Sequence, residues 1–501
     1  MTRPGLVLSR HRRLGVLAIC SLSLFVVGLD ITIVNVALPS IQHAFHARFA
    51  GLQWVVNAYS VVAASLVVLW GSTGDRVGRR RVLQAGLVLF VAGSALCSLA
   101  ASIELLVLFR VIQALGGSML TPNSLAIIRN VFTDGRERAR AIGMWGAVFG
   151  ISAASGPLLG GLLIEAVGWR GVFWVNIPIG AIGFLLAARF VPESRDPSPR
   201  RIDVPGQVLF VVFLAALSYA IIEAPAREPG SPVIAAAAVV AVVAFGSFIG
   251  LEAVRSDPLL DLRFFRSAPF SGAQGVAILA FMVLAGFLFL NTLYLQGVRG
   301  DSALVAGAST LPMMIPFAVT AVGSGRILSR YGPRLPLLLT GVLIAASMGI
   351  LTQLTPSLSY GTLALAYVLL GAGLGLASPA ITTTAMSGMP AAKAGLASAI
   401  ASSSRQVGMA LGVAVSGSVV SARFHASIAS QAARLPGSLR AELLRSIFAT
   451  STRVGWWAGL GCGLAITVLG WLMTTSQARV SARRAAESLG AEADAGGPPQ
   501  Q

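Results

Sequence analysis

Lysine is nearly missing from this chain, with Lys393 standing alone among 37 basic residues. No G-x-x-x-x-G-K-[S/T] phosphate loop can be written, so ATP-driven pumping within this chain is excluded. Histidine is limited to His11, His43, His46 and His425, and the absence of H-E-x-x-H removes metalloprotease chemistry and leaves no metal site. Cys20, Cys97 and Cys462 lie far apart in apolar stretches, which excludes a disulfide framework and a C-x-x-C centre. Charge is thin: 11% of residues are charged against 55% hydrophobic, and mean hydropathy is +0.79. No soluble surface can be built from that composition. Neither an enzyme nor a bound cofactor is expected.

Fourteen apolar stretches take the place of what is missing, each of about twenty residues and long enough to cross a ~30 Å hydrocarbon layer as a helix. They lie near 14–39, 51–71, 82–102, 104–128, 138–163, 170–190, 205–223, 232–252, 270–296, 303–325, 335–354, 358–380, 395–421 and 454–475. Runs such as Val208–Leu217 are apolar all round, where barrel strands would alternate. With both termini cytoplasmic, inner loops and tails carry 26 Lys/Arg and outer loops 9, an asymmetry that predicts this orientation in the lipid bilayer. The net charge of +18 therefore reflects topology, and no soluble basic face exists for nucleic acid. The basic, then apolar, amino terminus resembles a signal peptide, but the stretch is too long and carries Asp30, so it is predicted to be retained.

The outer segment 422–453 breaks the charge pattern with five arginines. Leu439, Leu443, Leu444, Ile447 and Phe448 fall on one helical face after Ser438, which predicts a short amphipathic helix capping the last two spans. Beyond Thr475 the chain turns polar and ends Gly496-Gly497-Pro498-Pro499, a composition expected to be disordered.

Gly71, Arg76, Gly78 and Arg80 recur at the same spacing as Gly325, Arg330, Gly332 and Arg334, an offset of 254 residues. Both sets lie between the second and third helices of a six-helix group. Duplicated halves around a midplane site are the architecture of secondary transporters. The predicted organisation is a cytoplasmic segment 1–13, a six-helix bundle 14–190, two additional helices with their loops in 191–269, a second bundle 270–475 and a tail 476–501.

Specific motifs sharpen this. The loop Gly71-Ser72-Thr73-Gly74-Asp75-Arg76-Val77-Gly78-Arg79-Arg80-Arg81 resembles the signature of the major facilitator superfamily. Leu29-Asp30-Ile31-Thr32-Ile33-Val34-Asn35-Val36-Ala37-Leu38-Pro39 resembles the first-helix motif of its fourteen-span drug:proton antiporter family. Trp54-Val55-Val56-Asn57-Ala58-Tyr59, Tyr294-Leu295-Gln296-Gly297-Val298-Arg299-Gly300 and Ser404-Arg405-Gln406-Val407-Gly408 are similar to further family segments. The resemblance runs from about 14 to 475 and implies an all-α major-facilitator fold of two six-helix bundles plus two helices.

Asp30 is the sharpest candidate. A lone carboxylate in a span costs ~2.5–3.5 kcal/mol on insertion scales, so it should face the bundle interior or water. Burial disfavours the charged form of a carboxyl, so such a group can hold a proton and release it when water or a cation arrives. Arg110 lies six residues into the fourth span and Asp30 nine residues before Pro39, depths of about 9 and 13 Å at ~1.5 Å per residue. The two can share one layer. Packing alone would also account for either residue.

The resemblance implies that Arg110, Gln113 and Gly116 belong to a motif tied to proton coupling, with Ala114 where glycine is usual. It makes Gly156-Pro157-Leu158-Leu159-Gly160-Gly161 the exporters' antiporter motif, with Ser152 at a position commonly glycine. It makes Gly71, Asp75, Arg76, Gly78, Arg79 and Arg80 a cytoplasmic latch, although positive charge also anchors topology. The second copy has Ser329 for Asp75 and Pro333 for Arg79. Asn57, Tyr59, Gln113, Asn123, Asn291, Gln296 and Arg405 are candidates to line a central cavity or to bond between helices, and Glu223 is expected to be solvated.

The resulting expectation is a secondary transporter of the inner membrane that exports drugs or other amphipathic compounds, cations among them, in exchange for protons, with a monomer sufficient. Proton-coupled transport of one metabolite or a self-made antibiotic, and a non-transporting sensor, are the alternatives.

Overall fold

The computed structural model describes residues 9–196, 202–255, 258, 260–387, 389, 394–431 and 437–495, and none of these is in a strand. α1 (Arg10–Phe45) stops at His46, whose left-handed backbone (φ 48) returns its N–H to the Gln42 carbonyl. Gly78 separates α2 (Phe49–Val77) from α3 (Arg79–Ser98). The Ser102 side chain accepts the Leu105 N–H and starts α4 (Ile103–Val131). Asp134 accepts from Arg136 and Glu137 and starts α5 (Gly135–Val167), which runs on through Pro157. α6 (Gly171–Trp174) and α7 (Asn176–Phe190) complete the first group.

A hairpin of α8 (Val204–Glu223) and α9 (Pro232–Val254) follows. The second group holds α10 (Ala268–Leu293), prolonged by a π-helical turn Tyr294–Val298, then α11 (Ala303–Ala308) and α12 (Leu311–Tyr331). α13 (Arg334–Leu351), α14 (Tyr360–Met386), α15 (Ala394–Gln431) and α16 (Gly437–Leu472) complete it. Among the described residues there are fourteen membrane-length apolar helices, α6–α7 and α11–α12 each forming one span.

The repeat has a structural counterpart. Gly78 (φ +124) and Gly332 (φ +70) occupy the same joint, between helices two and three of each group, in backbone regions that a side chain strains. At Gly78 an added Cβ would also press within 2.7 Å of the Glu193 carboxyl. A Gly78→Ala variant is therefore expected to lose about 1–3 kcal/mol, read by detergent unfolding of the purified protein.

α8 packs against both halves. Phe213 and Phe245 stack at 4.7 Å and Phe210 and Phe248 at 5.4 Å, joining the hairpin. Gln207 donates to the Ser65 carbonyl of α2, and Leu214 packs with Val61 and Ala64 of α2 and Ala410 of α15. The hairpin thus sits over the seam between the halves. Its outer faces remain apolar, Val242 being 72% exposed, which suits contact with lipid.

Three expectations change. Residues Ser476–Ala495 of the tail form a helix, α17, because Ala-rich sequence with Arg and Glu favours helix despite its polarity; Ala268 N–H donates to Ser481 Oγ at 3.0 Å and ties it back. Gly496-Gly497-Pro498-Pro499 and residues 1–8 lie outside the described residues. The segment 422–453 is no separate surface helix: α15 and α16 extend through most of it, and Phe448 meets Phe424 at 5.8 Å and Phe49 at 6.3 Å. Its apolar face continues the α16 seam, so no break is needed. Glu223 is engaged as well, accepting from Trp54 Nε1 at 3.0 Å.

Candidate functional site

Asp30 is fully buried in α1. Its Oδ2 receives Arg110 Nη1 at 2.6 Å from α4, and its Oδ1 receives Gln113 Nε2 at 2.8 Å and Asn176 Nδ2 at 3.1 Å. All three neighbours are N–H donors, the pattern that a carboxylate accepts. Arg110 also donates through Nε to the Val55 carbonyl at 3.1 Å and through Nη1 to Gln113 Oε1 at 2.7 Å, and lies 4.6 Å over the Tyr59 ring. Ser94 closes the network, its hydroxyl receiving Gln113 at 2.6 Å and Asn176 at 3.1 Å.

Close helix approach makes this network possible. An added Cβ at Gly93 would fall 2.5 Å from the Gln113 backbone, and one at Gly116 would fall 2.6 Å from the Gly86 carbonyl. α3 and α4 therefore touch backbone to backbone, which brings Ser94 under Gln113. Ala114, in place of the usual glycine, packs fully buried with Tyr59 and Phe90.

A cavity adjoins the network, lined by Ile31, Asn35, Tyr59, Arg110, Met409 and Val413 among others, so both halves contribute. The Tyr59 hydroxyl and Asn35 Oδ1 in that lining, and both side-chain amide atoms of Asn57 outside it, are buried without protein partners. The other cavity candidates go elsewhere. Asn123 donates to the Trp70 and Met119 carbonyls and backs Gly74, and Asn291 accepts the Tyr367 hydroxyl at 2.5 Å within the second group. Gln296 donates across the halves to the Val36 carbonyl at 2.9 Å. Ser94, Asn176 and Gln53, which bonds the Val413 and Ala414 carbonyls at 3.1 Å, carry no motif and escape sequence reading.

The halves meet firmly at the end remote from the 71–81 loop. Cβ atoms added at Gly156 and Gly160 would strike Thr32 and Ile33, beside Asp30 in α1. One added at Gly161 would lie 2.6 Å from the Ala303 carbonyl, and one at Gly307 would strike the carbonyl of Pro157. Glu165 accepts the Leu304 N–H at 3.2 Å. Toward the loop end, Gly150 still meets Phe317 at 3.5 Å, but Gly143, Gly146, Gly323 and Gly325 face open space. The tightest contacts of α5 with the second half are therefore at Gly161 and Pro157, not toward the loop. At the loop itself Arg79 pairs with Asp75 at 2.8 Å, and Glu193 accepts the Arg80 N–H at 3.1 Å while facing the Arg80 and Arg81 guanidiniums at 3.9 and 3.8 Å.

Comparison with known proteins gives this geometry its context. The model of the Major Facilitator Superfamily matches residues 20–413. The chain belongs to that superfamily. Among its relatives is the Multidrug resistance protein Stp of Mycobacterium tuberculosis, 38% identical over 86% of this chain and 80% of that one. Another is the Tetracenomycin C resistance and export protein of Streptomyces glaucescens, 36% identical over 80% of this chain and 75% of that one. The Multidrug efflux pump LfrA of Mycolicibacterium smegmatis is 34% identical over 82% of each chain. In fold, the chain is similar to a bacterial homologue of the human lysosomal transporter Spinster, solved in an inward-facing, unoccupied conformation, with TM-score 0.65, 20% identity and coverage of 95% and 99%. This superfamily member is a multi-pass membrane protein, and its relatives are transporters rather than enzymes.

Proposed function

We propose that the protein exports amphipathic compounds, drugs among them, in exchange for protons by alternating access of its two halves. The names of its multidrug-resistance and efflux relatives support the export of drugs. The charge asymmetry supports an orientation with both termini and the 71–81 loop cytoplasmic, which makes the present state closed outward and open inward. The observation that carries proton coupling is the Asp30–Arg110 pair at 2.6 Å, buried beside a cavity that both halves line.

Protonating Asp30 removes the charge that Arg110 answers and frees the guanidinium for another partner. That exchange of partners is the step by which a proton alters the packing of α1 against α4 and, through Thr32 and Ile33, against the glycines of α5. A membrane potential adds ~2.3 kcal/mol per charge per 100 mV, enough to bias exchange when more protons enter than substrate charges leave.

In everted vesicles, adding a transported drug is expected to release protons from wild type and none from Asp30→Asn. Export that persists after the proton gradient is collapsed refutes the reading. A narrower version is export of a single compound such as a self-made antibiotic; one relative is named for resistance to and export of tetracenomycin C, and the two versions are separated by whether unrelated drugs compete for efflux.

A further inference from the structure

Arg110 has a buried carboxylate facing it, and Arg405 has none. In α15, Arg405 donates through Nη2 to Ser402 Oγ at 2.8 Å and through Nη1 to Thr382 Oγ1 at 3.4 Å, with its guanidinium carbon 5.9 Å from the Phe281 ring centre. All these partners are uncharged, and among the described residues no carboxylate pairs with it. An intramembrane guanidinium is costly without counter-charge or water, so its presence there points to a function. The residue as a whole is half-buried.

Its position is informative. Met409 and Val413 follow at spacings of four and eight residues, which places all three on one face of α15. Those two line the cavity beside Arg110 and Tyr59. Since α15 begins at the loop end, Arg405 lies one turn from Met409 on the loop side of the cavity lining. The cavity lining contains no acidic side chain, and Asp30 behind it is fully buried with three donors already bound. An entering cation finds no free acid there. The Arg405 guanidinium, one turn from that lining, is held only by hydroxyls.

We propose that Arg405 anchors an anionic group, a carboxylate or sulfonate, on the amphipathic compounds that the protein carries. A planar fork binds such groups through paired hydrogen bonds, and the hydroxyls of Ser402 and Thr382 orient it. Met409 and Val413 offer apolar wall to the rest of the molecule. The proposal rests on the export reading for its cargo, but binding requires no proton gradient.

The test is equilibrium binding to the purified full-length protein in lipid nanodiscs at one pH, with dansyl-glycine as the anion and tetraphenylphosphonium as the cation. Arg405→Gln is expected to weaken dansyl-glycine binding about tenfold or more, the worth of a charged hydrogen bond. Arg405→Lys, which keeps the charge but loses the paired fork, should fall between wild type and Arg405→Gln, and neither variant should weaken tetraphenylphosphonium. Ser402→Asp leaves Arg405 in place but supplies an internal counter-charge one turn away, so it should abolish anion binding even if Arg405→Gln fails to fold. Equal loss of both probes, unchanged anion binding in Arg405→Gln or Ser402→Asp, or a wild type that binds only the cation overturns the proposal. Failure of vesicle proton release would leave these affinities untouched, so the two readings fail separately.

Discussion

Arg110→Ala is expected to cost about 3–5 kcal/mol of stability and all proton-driven export, because it strands a buried carboxylate without its counter-charge. Asp30 has no exposed surface, and Gln113 and Asn176, both neutral, cannot replace the guanidinium. The sign of the double variant is the more discriminating result. Asp30→Asn combined with Arg110→Gln removes both charges together, and replacing a buried pair by neutral groups is often nearly neutral in stability. The double variant should therefore unfold in sodium dodecyl sulfate close to wild type while remaining inactive in everted vesicles. A stable but inactive double variant separates coupling from folding. Export at wild-type rate in that variant would falsify a role for the pair in transport.

The second large effect is expected at the closed end. Gly161→Val places a side chain where a Cβ alone would lie 2.6 Å from both the Ala303 carbonyl and Leu304 Cα, against backbone that cannot rotate away. Overpacking of this kind costs about 1–3 kcal/mol in the state that contains the contact. The opposite access state is spared that cost, so the equilibrium should shift by about five- to 150-fold toward it. Spin labels at Gly143 and Gly323 report the change, since side chains added there meet nothing within 4 Å. The distance between the labels should shorten in Gly161→Val as the loop end closes, and turnover should fall with it. Gly307→Val, which presses on the Pro157 carbonyl from the other half, should act in the same direction. Unaltered label distances in both variants would remove these glycines from the gate.

How far the sequence carries follows from the physics of each feature. Fourteen spans, the repeat and the depth of Asp30 and Arg110 were legible, because the bilayer forces long apolar runs and makes each intramembrane charge conspicuous. Ser94, Asn176 and Gln53 were not, since a lone serine or amide in a helix has no periodic signature. Only packing reveals that Asn176 reaches Asp30 from α7, or that Asn123 turns away to the Trp70 carbonyl.

The same division explains the errors at the edges. Residues 476–495 are polar, but their Ala, Arg and Glu content favours helix, and the apolar face near Phe448 is covered by Phe49 and Phe424, which lie on other helices and leave no local signature. Sequence by itself determined class, span count, and which charges had to find partners, since apolar length and intramembrane cost are local properties. Tertiary structure alone decided which partners they found: Arg110 meets a carboxylate and Arg405 only hydroxyls, a distinction set by helix contacts that no local pattern encodes.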